Sequence, residues 1–257
     1  MASKKLEMLT GCLFTAILLI QPSIGCSTTV VGIVDVQKQR IVLAADSKAV
    51  LTDSTVRRTC KISANPGCVF ALSGLVYVPK LFNLFEIAVV VCGQPGNLRK
   101  KADTFVQTAQ GTVQRAISSM RSSDPTFYRQ EMSKERVIDS LFAGTQDGHL
   151  VIFERGLHPT ASGILQQTSG DVNDFSPSNS LAMIGDSDQL DAYVSAHPRW
   201  PSVDAQIVAE DIVRAEIDSR PETVGPPVAS LQIMRGSMIM SGDAIATHWL
   251  QPGVCAR

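Results

Sequence analysis

The stretch from residue 28 to residue 45 constrains this chain more than any other. Thr28 to Val36 reads Thr-Thr-Val-Val-Gly-Ile-Val-Asp-Val, and Arg40 to Ala45 reads Arg-Ile-Val-Leu-Ala-Ala. The polar Gln37-Lys38-Gln39 lies between them. β-Branched and apolar runs around a short polar break predict a β-hairpin. A strand with one wet face alternates polar and apolar residues, and these two do not. Both faces of the hairpin must therefore be covered, as in a sheet buried between layers. The chain can supply that cover, since 44% of its 257 residues are hydrophobic and only 18% charged. Wholesale disorder is excluded. No stretch rich in Pro, Gly or Ser divides the chain, so residues 26–257 read as one domain.

Other elements follow from periodicity. Lys61 to Leu72 predicts two strands about Asn65-Pro66-Gly67. Lys80 to Cys92 and Asp103 to Met120 carry apolar residues at helical spacing, and Asp124-Pro125 ends the second. Val137 to Ala143 and His149 to Glu154 predict strands about Thr145-Gln146-Asp147-Gly148. Leu181 to Ile184 predicts a short strand, Ser187 to His197 a helix. Val203 to Asp218 predicts an amphipathic helix capped by Ser202, with Val203, Ile207, Val208, Ile212, Val213 and Ile217 on its inner face. Val228 to Met234 and Met238 to Trp249 complete the strands, and the polar Thr168 to Ser180 reads as a surface loop. Runs of strands followed by runs of helices argue an α+β fold with antiparallel sheet.

The first 25 residues read as a secretory signal peptide. Lys4 and Lys5 precede a mostly apolar run, Met8 to Ile20, which Gln21-Pro22 breaks before the small residues Ser23-Ile24-Gly25. The run is shorter than the roughly 20 residues a membrane span needs. Export to the periplasm or beyond follows. A cut after Gly25 exposes Cys26. Ser23-Ile24-Gly25-Cys26 also partly resembles a bacterial lipobox, with Ser23 where Leu is preferred, which gives a lipid anchor on Cys26 as an alternative. Five cysteines remain after the leader, an odd number. Cys60 and Cys68 flank the Asn65-Pro66-Gly67 turn at a spacing that permits a bridge.

Composition removes several functions. A net charge of -1 and 5% aromatics argue against a nucleic-acid partner. There is no CxxC, the four histidines lack ligand spacing, and no glycine loop cradles phosphate, so neither metal nor cofactor is expected. No GxSxG elbow is present. A new N-terminus at Thr28 or Cys26 would instead join a nucleophile to a free α-amine, whose unperturbed pKa is about 7.7–8.0. Such an amine accepts the hydroxyl or thiol proton itself.

The segment Thr28-Thr29-Val30-Val31-Gly32-Ile33-Val34, followed after the hairpin by Ala44-Ala45-Asp46-Ser47-Lys48-Ala49, resembles the start of proteasome β-type subunits. Their superfamily is the N-terminal nucleophile (Ntn) hydrolases. Val56-Arg57-Arg58-Thr59-Cys60-Lys61-Ile62 resembles the segment with the family's catalytic lysine. Phe70-Ala71-Leu72-Ser73-Gly74 resembles the strand end that forms the oxyanion hole. Phe142-Ala143-Gly144, Ala182-Met183-Ile184-Gly185-Asp186-Ser187 and Val224-Gly225-Pro226-Pro227-Val228 resemble later landmarks. The likeness spans most of residues 28–236 and is nearest to exported bacterial proteasome-like proteins. It implies a four-layer αββα sandwich and hydrolysis of a peptide or acyl-amide bond without a cofactor.

By the same resemblance Thr28 is the nucleophile and Asp46 orients a basic group. Lys61 or Arg58 is the catalytic cation, and the Gly74 N–H stabilises the oxyanion. Ser187 joins the network and Leu72 lines a substrate pocket. Cys26 competes with Thr28, because other Ntn hydrolases, the choloylglycine and penicillin V acylase group, begin with Cys and carry an Asp about twenty residues on. The Thr28–Asp46 spacing is two residues longer than in the proteasome family, and the family's late Asp and Ser have no counterpart near Pro221 to Gly225. Relatives form rings, which leaves a homo-oligomer open. The other reading is a scaffold or binding protein that kept the sandwich and lost the chemistry, as proteasome α-type subunits do.

Overall fold

The computed structural model describes residues 24–26, 28–51, 56–58, 60–65, 68–78, 80–185, 188–235 and 237–242. The apolar run of the expected leader and Ser187 lie outside the described residues.

The chain is a mixed α+β protein, and its described residues form two antiparallel sheets and five α-helices. The hairpin forms as expected: β2 (Thr29–Asp35) and β3 (Arg40–Ala45) pair Val30 with Ala45 and Asp35 with Arg40. Every residue of both strands is buried. Alternation along the strands sends the side chains to two different clusters. Val31, Ile33, Val42 and Ala44 pack with Val208, Ile212 and Val213 of α5 (Ala205–Ser219). Val30, Val34, Ile41 and Leu43 pack with Val69, Ala71, Leu141 and Ile152 of the other sheet. That is why no polar residue interrupts the run.

Around the hairpin the first sheet runs β12 (Ser180–Gly185), β2, β3, β13 (Ala229–Met234), β14 (Ser237–Gly242). The second is ordered β11 (Leu165–Asn173), β10 (His149–Pro159), β9 (Ile138–Gln146), β7 (Cys68–Val78), β1 (Ile24–Cys26), β4 (Lys48–Leu51), β5 (Val56–Arg58). Two short strands, β6 (Ile62–Asn65) and β8 (Phe82–Asn83), also pair with β7. The opposite face of this sheet, with Phe70, Phe142 and Phe153, packs on α1 (Leu84–Gly93) and α2 (Leu98–Ser123). Two further helices, α3 (Pro125–Met132) and α4 (Asp188–Ala196), complete the set.

Four expectations are corrected. Cys68 bonds Cys92, not Cys60, which ties β7 to α1; Cys60 takes part in a separate disulfide. Thr168 to Ser180 is not all loop, because β11 extends to Asn173 along β10. The helix near residue 80 begins only at Leu84, since Asn83 caps it and Phe82 pairs with Val78. The cap of α5 is Asp204, whose carboxylate accepts the Gln206 N–H at 2.9 Å. Val203 therefore lies before the helix, and Val203 and Ile207 are exposed.

Disulfides such as Cys68–Cys92 belong to oxidising compartments. Among the described residues no helix is long and apolar enough to cross a membrane.

Candidate active site

Asp46 is the first residue beyond β3. Because Ala45 pairs with Val30, Asp46 falls beside Thr29. The two residues exchange bonds: the Thr29 N–H donates to Asp46 Oδ1 at 2.9 Å, and the Asp46 N–H donates to the Thr29 carbonyl at 3.2 Å. Asp46 Oδ2 receives the Lys48 N–H at 3.0 Å and the Gly225 N–H at 3.4 Å. The carboxyl is almost wholly buried. Burial pushes its pKa above the ordinary value, while the Lys61 charge and the three N–H donors pull it back down.

Lys61 stands immediately before β6 and is buried. Its ammonium donates to Thr28 Oγ1. Thr28, with no exposed surface, immediately precedes β2. The three residues taken from the sequence as nucleophile, acid and lysine thus meet at the start of the central hairpin. The Arg58 backbone lies in β5 at the far edge of the sheet, paired with Lys48, and the ammonium on the Thr28 hydroxyl is that of Lys61.

Gly74 lies in β7 opposite Cys26 of β1 and Ile138 of β9. Its φ of 87° and the Val137 carbonyl, 2.2 Å from where a Cβ would stand, exclude any other residue there. Leu72 is not brought to the group. It is fully buried with Phe70 on the helix-facing side of β7, whereas Ser73 faces Thr28.

Several participants have no counterpart among the expected site residues. Ser73 Oγ donates to the Thr28 carbonyl at 3.5 Å. Gly185, at φ 86°, lets β12 close on Thr28, since a Cβ there would stand 1.6 Å from the Thr28 carbonyl oxygen. Asp139 of β9 accepts the Gly185 N–H. Both glycines sit in segments the sequence marks, Leu-Ser-Gly and Ile-Gly-Asp, and the signal for Asp139 is a lone acid in an apolar strand.

The arrangement places a threonine hydroxyl against a buried ammonium, with a carboxylate held by three backbone donors on the adjacent residue. A buried cation stabilises negative charge developing on the hydroxyl oxygen. Among the described residues no three His, Cys, Asp or Glu gather as a metal site. No protein-family model matches the chain, and no curated protein matches it.

Proposed function

We propose that the chain is an exported Ntn hydrolase of the proteasome β type, an αββα sandwich that cleaves a peptide or acyl-amide bond with Thr28 as N-terminal nucleophile. The observation that carries this reading is the Lys61 ammonium on Thr28 Oγ1, with Asp46 anchored to the next residue. Cleavage between Ser27 and Thr28 frees the amine. Thr28 Oγ then attacks the substrate carbonyl and its proton passes to the Thr28 α-amine. Lys61 holds that amine's proton affinity down by its charge and stabilises the emerging oxyanionic character. The Gly74 N–H donates to the tetrahedral oxyanion, and such a donor is worth about 10²–10³ in rate. Collapse expels the amine product, which takes that proton from the Thr28 ammonium, and a water deprotonated by the freed α-amine then releases the acid and restores Thr28. The Cys68–Cys92 disulfide supports a periplasmic or secreted setting.

A second reading has its own support. Thr28 is fully buried, and the residues before it form β1 inside the sheet. An uncut chain of this kind has no free amine at residue 28 and acts as a scaffold.

Protein purified from an exporting host decides between them. The enzyme reading requires an intact mass beginning at Thr28 and turnover of acyl-amide or peptidyl fluorogenic substrates. Thr28→Ala abolishes that turnover, and Lys61→Met lowers it by about 10²–10⁴-fold, the range of a lost proton-transfer or charge-stabilising group. A mass that retains residues 26 and 27, with no turnover, establishes the scaffold. Turnover lost in Cys26→Ala but kept in Thr28→Ala transfers the role to Cys26.

A further inference from the structure

One buried acid at the Thr28 end of the sheets has no part in that chemistry. Asp139 is the second residue of β9, 4% exposed, in the otherwise mostly apolar run Val137-Ile138-Asp139-Ser140-Leu141-Phe142-Ala143. Its surroundings are built for it. Across β7 its register partner is Ser73, the residue on the Thr28 carbonyl. Across β10 its partner is Gly156. A Cβ at Gly156 would stand 2.6 Å from Asp139 Oδ1 and 2.7 Å from Thr168 Oγ1, so the missing side chain is the space the carboxyl uses. From β12 the Gly185 N–H donates to it. Two charged groups face it: Arg136, whose Nη1 lies at 3.2 Å, and Glu154 of β10, which the same Nη1 holds at 2.6 Å. Among the described residues, β7, β11 and β12 bring Ser73, Thr168 and the Gly185 backbone to it.

We propose that Asp139 is a positioning residue for Thr28: its ionised carboxylate grips the Gly185 N–H and so fixes the glycine against which the Thr28 carbonyl rests. This rests on the reading of Thr28 as nucleophile. A carboxylate accepts an N–H roughly twice as strongly as a neutral acceptor does. Protonation therefore loosens the grip, and a nucleophile misplaced by about 1 Å loses on the order of 10² in rate. Burial first, and then Glu154, raise the Asp139 pKa to about 6 against the pull of Arg136 and Gly185. The grip is thus lost on mild acidification.

The test uses the processed protein and a β-lactone acylating probe, with Thr28 labelling rates read by intact mass from pH 5 to pH 8. Wild type shows an inflection near pH 6, separate from that of the Thr28 amine. Asp139→Asn offers only a neutral acceptor and cannot titrate, so at every pH it labels at about the slow rate that wild type reaches below the inflection, and it lacks the inflection. Asp139→Ala loses the acceptor and labels about 10–100-fold more slowly at every pH. Arg136→Gln removes the cation that favours the charged form, so the inflection moves upward. This variant serves where Asp139→Asn does not fold, because Arg136 is partly exposed. An inflection unchanged in Asp139→Asn, or unmoved in Arg136→Gln, overturns the proposal and leaves the nucleophile in place. No labelling of wild type at any pH overturns the nucleophile and this role with it.

Discussion

At the scale of single residues, the site is a balance between burial and compensation. Asp46 is buried among three N–H donors and a lysine charge, whereas Asp139 has one N–H and an arginine shared with Glu154. The difference has a thermodynamic consequence. The Asp139 pKa is about 6 in the folded chain, against an ordinary value of 3.8. Between those values the folded state binds the proton that the unfolded state has released. The stabilisation this gives is full below 3.8 and is lost as pH rises through 6. About two units at 1.36 kcal/mol each amount to roughly 3 kcal/mol. Asparagine does not titrate, so Asp139→Asn gains on wild type by a few kcal/mol as pH goes from 4 to 7.5, measured as the difference in urea-unfolding free energy. A difference that stays flat over that range contradicts the burial of this charge. Thr28, Asp46 and Lys61 were legible in the sequence because each stands in a short segment of recognisable pattern. Asp139 was not, because the residues that give it meaning, Ser73, Gly156 and Gly185, come from three other strands.

At the scale of elements, legibility followed burial. The central hairpin was readable because both faces are covered, and burial on both sides leaves an uninterrupted apolar run. β11 was not readable, for the opposite reason. Among the described strands it lies at the sheet edge, paired with β10 alone, and most of Leu-Gln-Gln-Thr-Ser-Gly-Asp-Val-Asn faces solvent or is half-buried. Backbone bonds to β10 hold it, and they leave no mark in hydropathy. The α5 helix was placed correctly but rotated. Ser202 looked like the cap, yet Asp204 takes the role, and it also receives Arg40 from β3 at 2.9 Å. Anchoring to the hairpin sets which face turns inward. Ala205, Val208, Ala209, Ile212 and Val213 then pack on β2 and β3, and Ile207 is left 54% exposed. Two substitutions separate the registers. Ile212→Ala should cost about 2–5 kcal/mol, the range for a truncated core residue. Ile207→Ser should fall within about 0.5 kcal/mol of wild type, as surface changes do. Comparable losses at both positions in chemical denaturation would restore the register with Ser202 as cap.

At the scale of the whole molecule, the site and its access are joined through β1. Ile24–Cys26 lies between β7 and β4, with Ile24 opposite both Tyr77 and Leu51. β4 pairs with β1 and β5, so β1 is what connects β4 and β5 to the rest of that sheet. It also leads directly to Thr28. Residues 24–26, which lie shortly before the proposed scissile bond, are therefore held as an extended strand, with Cys26 opposite Gly74, the proposed oxyanion donor. A chain that begins at Thr28 has an open strand position there, flanked by backbone donors and acceptors on both sides. Open sheet edges of this kind take extended peptides by strand addition. A synthetic peptide Pro-Ser-Ile-Gly-Cys-Ser, matching residues 22–27, should refill the slot in trans and compete with Thr28 acylation. At a concentration about 100 times its dissociation constant it adds about 2.7 kcal/mol to stability. For a domain of this size that is a rise in Tm of roughly 5–10 °C. A peptide of the same composition in scrambled order with proline at its centre cannot complete the ladder and should leave Tm unchanged. If the matched peptide neither raises Tm nor slows acylation, the position that β1 holds is not where substrate enters. Thr28 must then be reached from the side of Gly185.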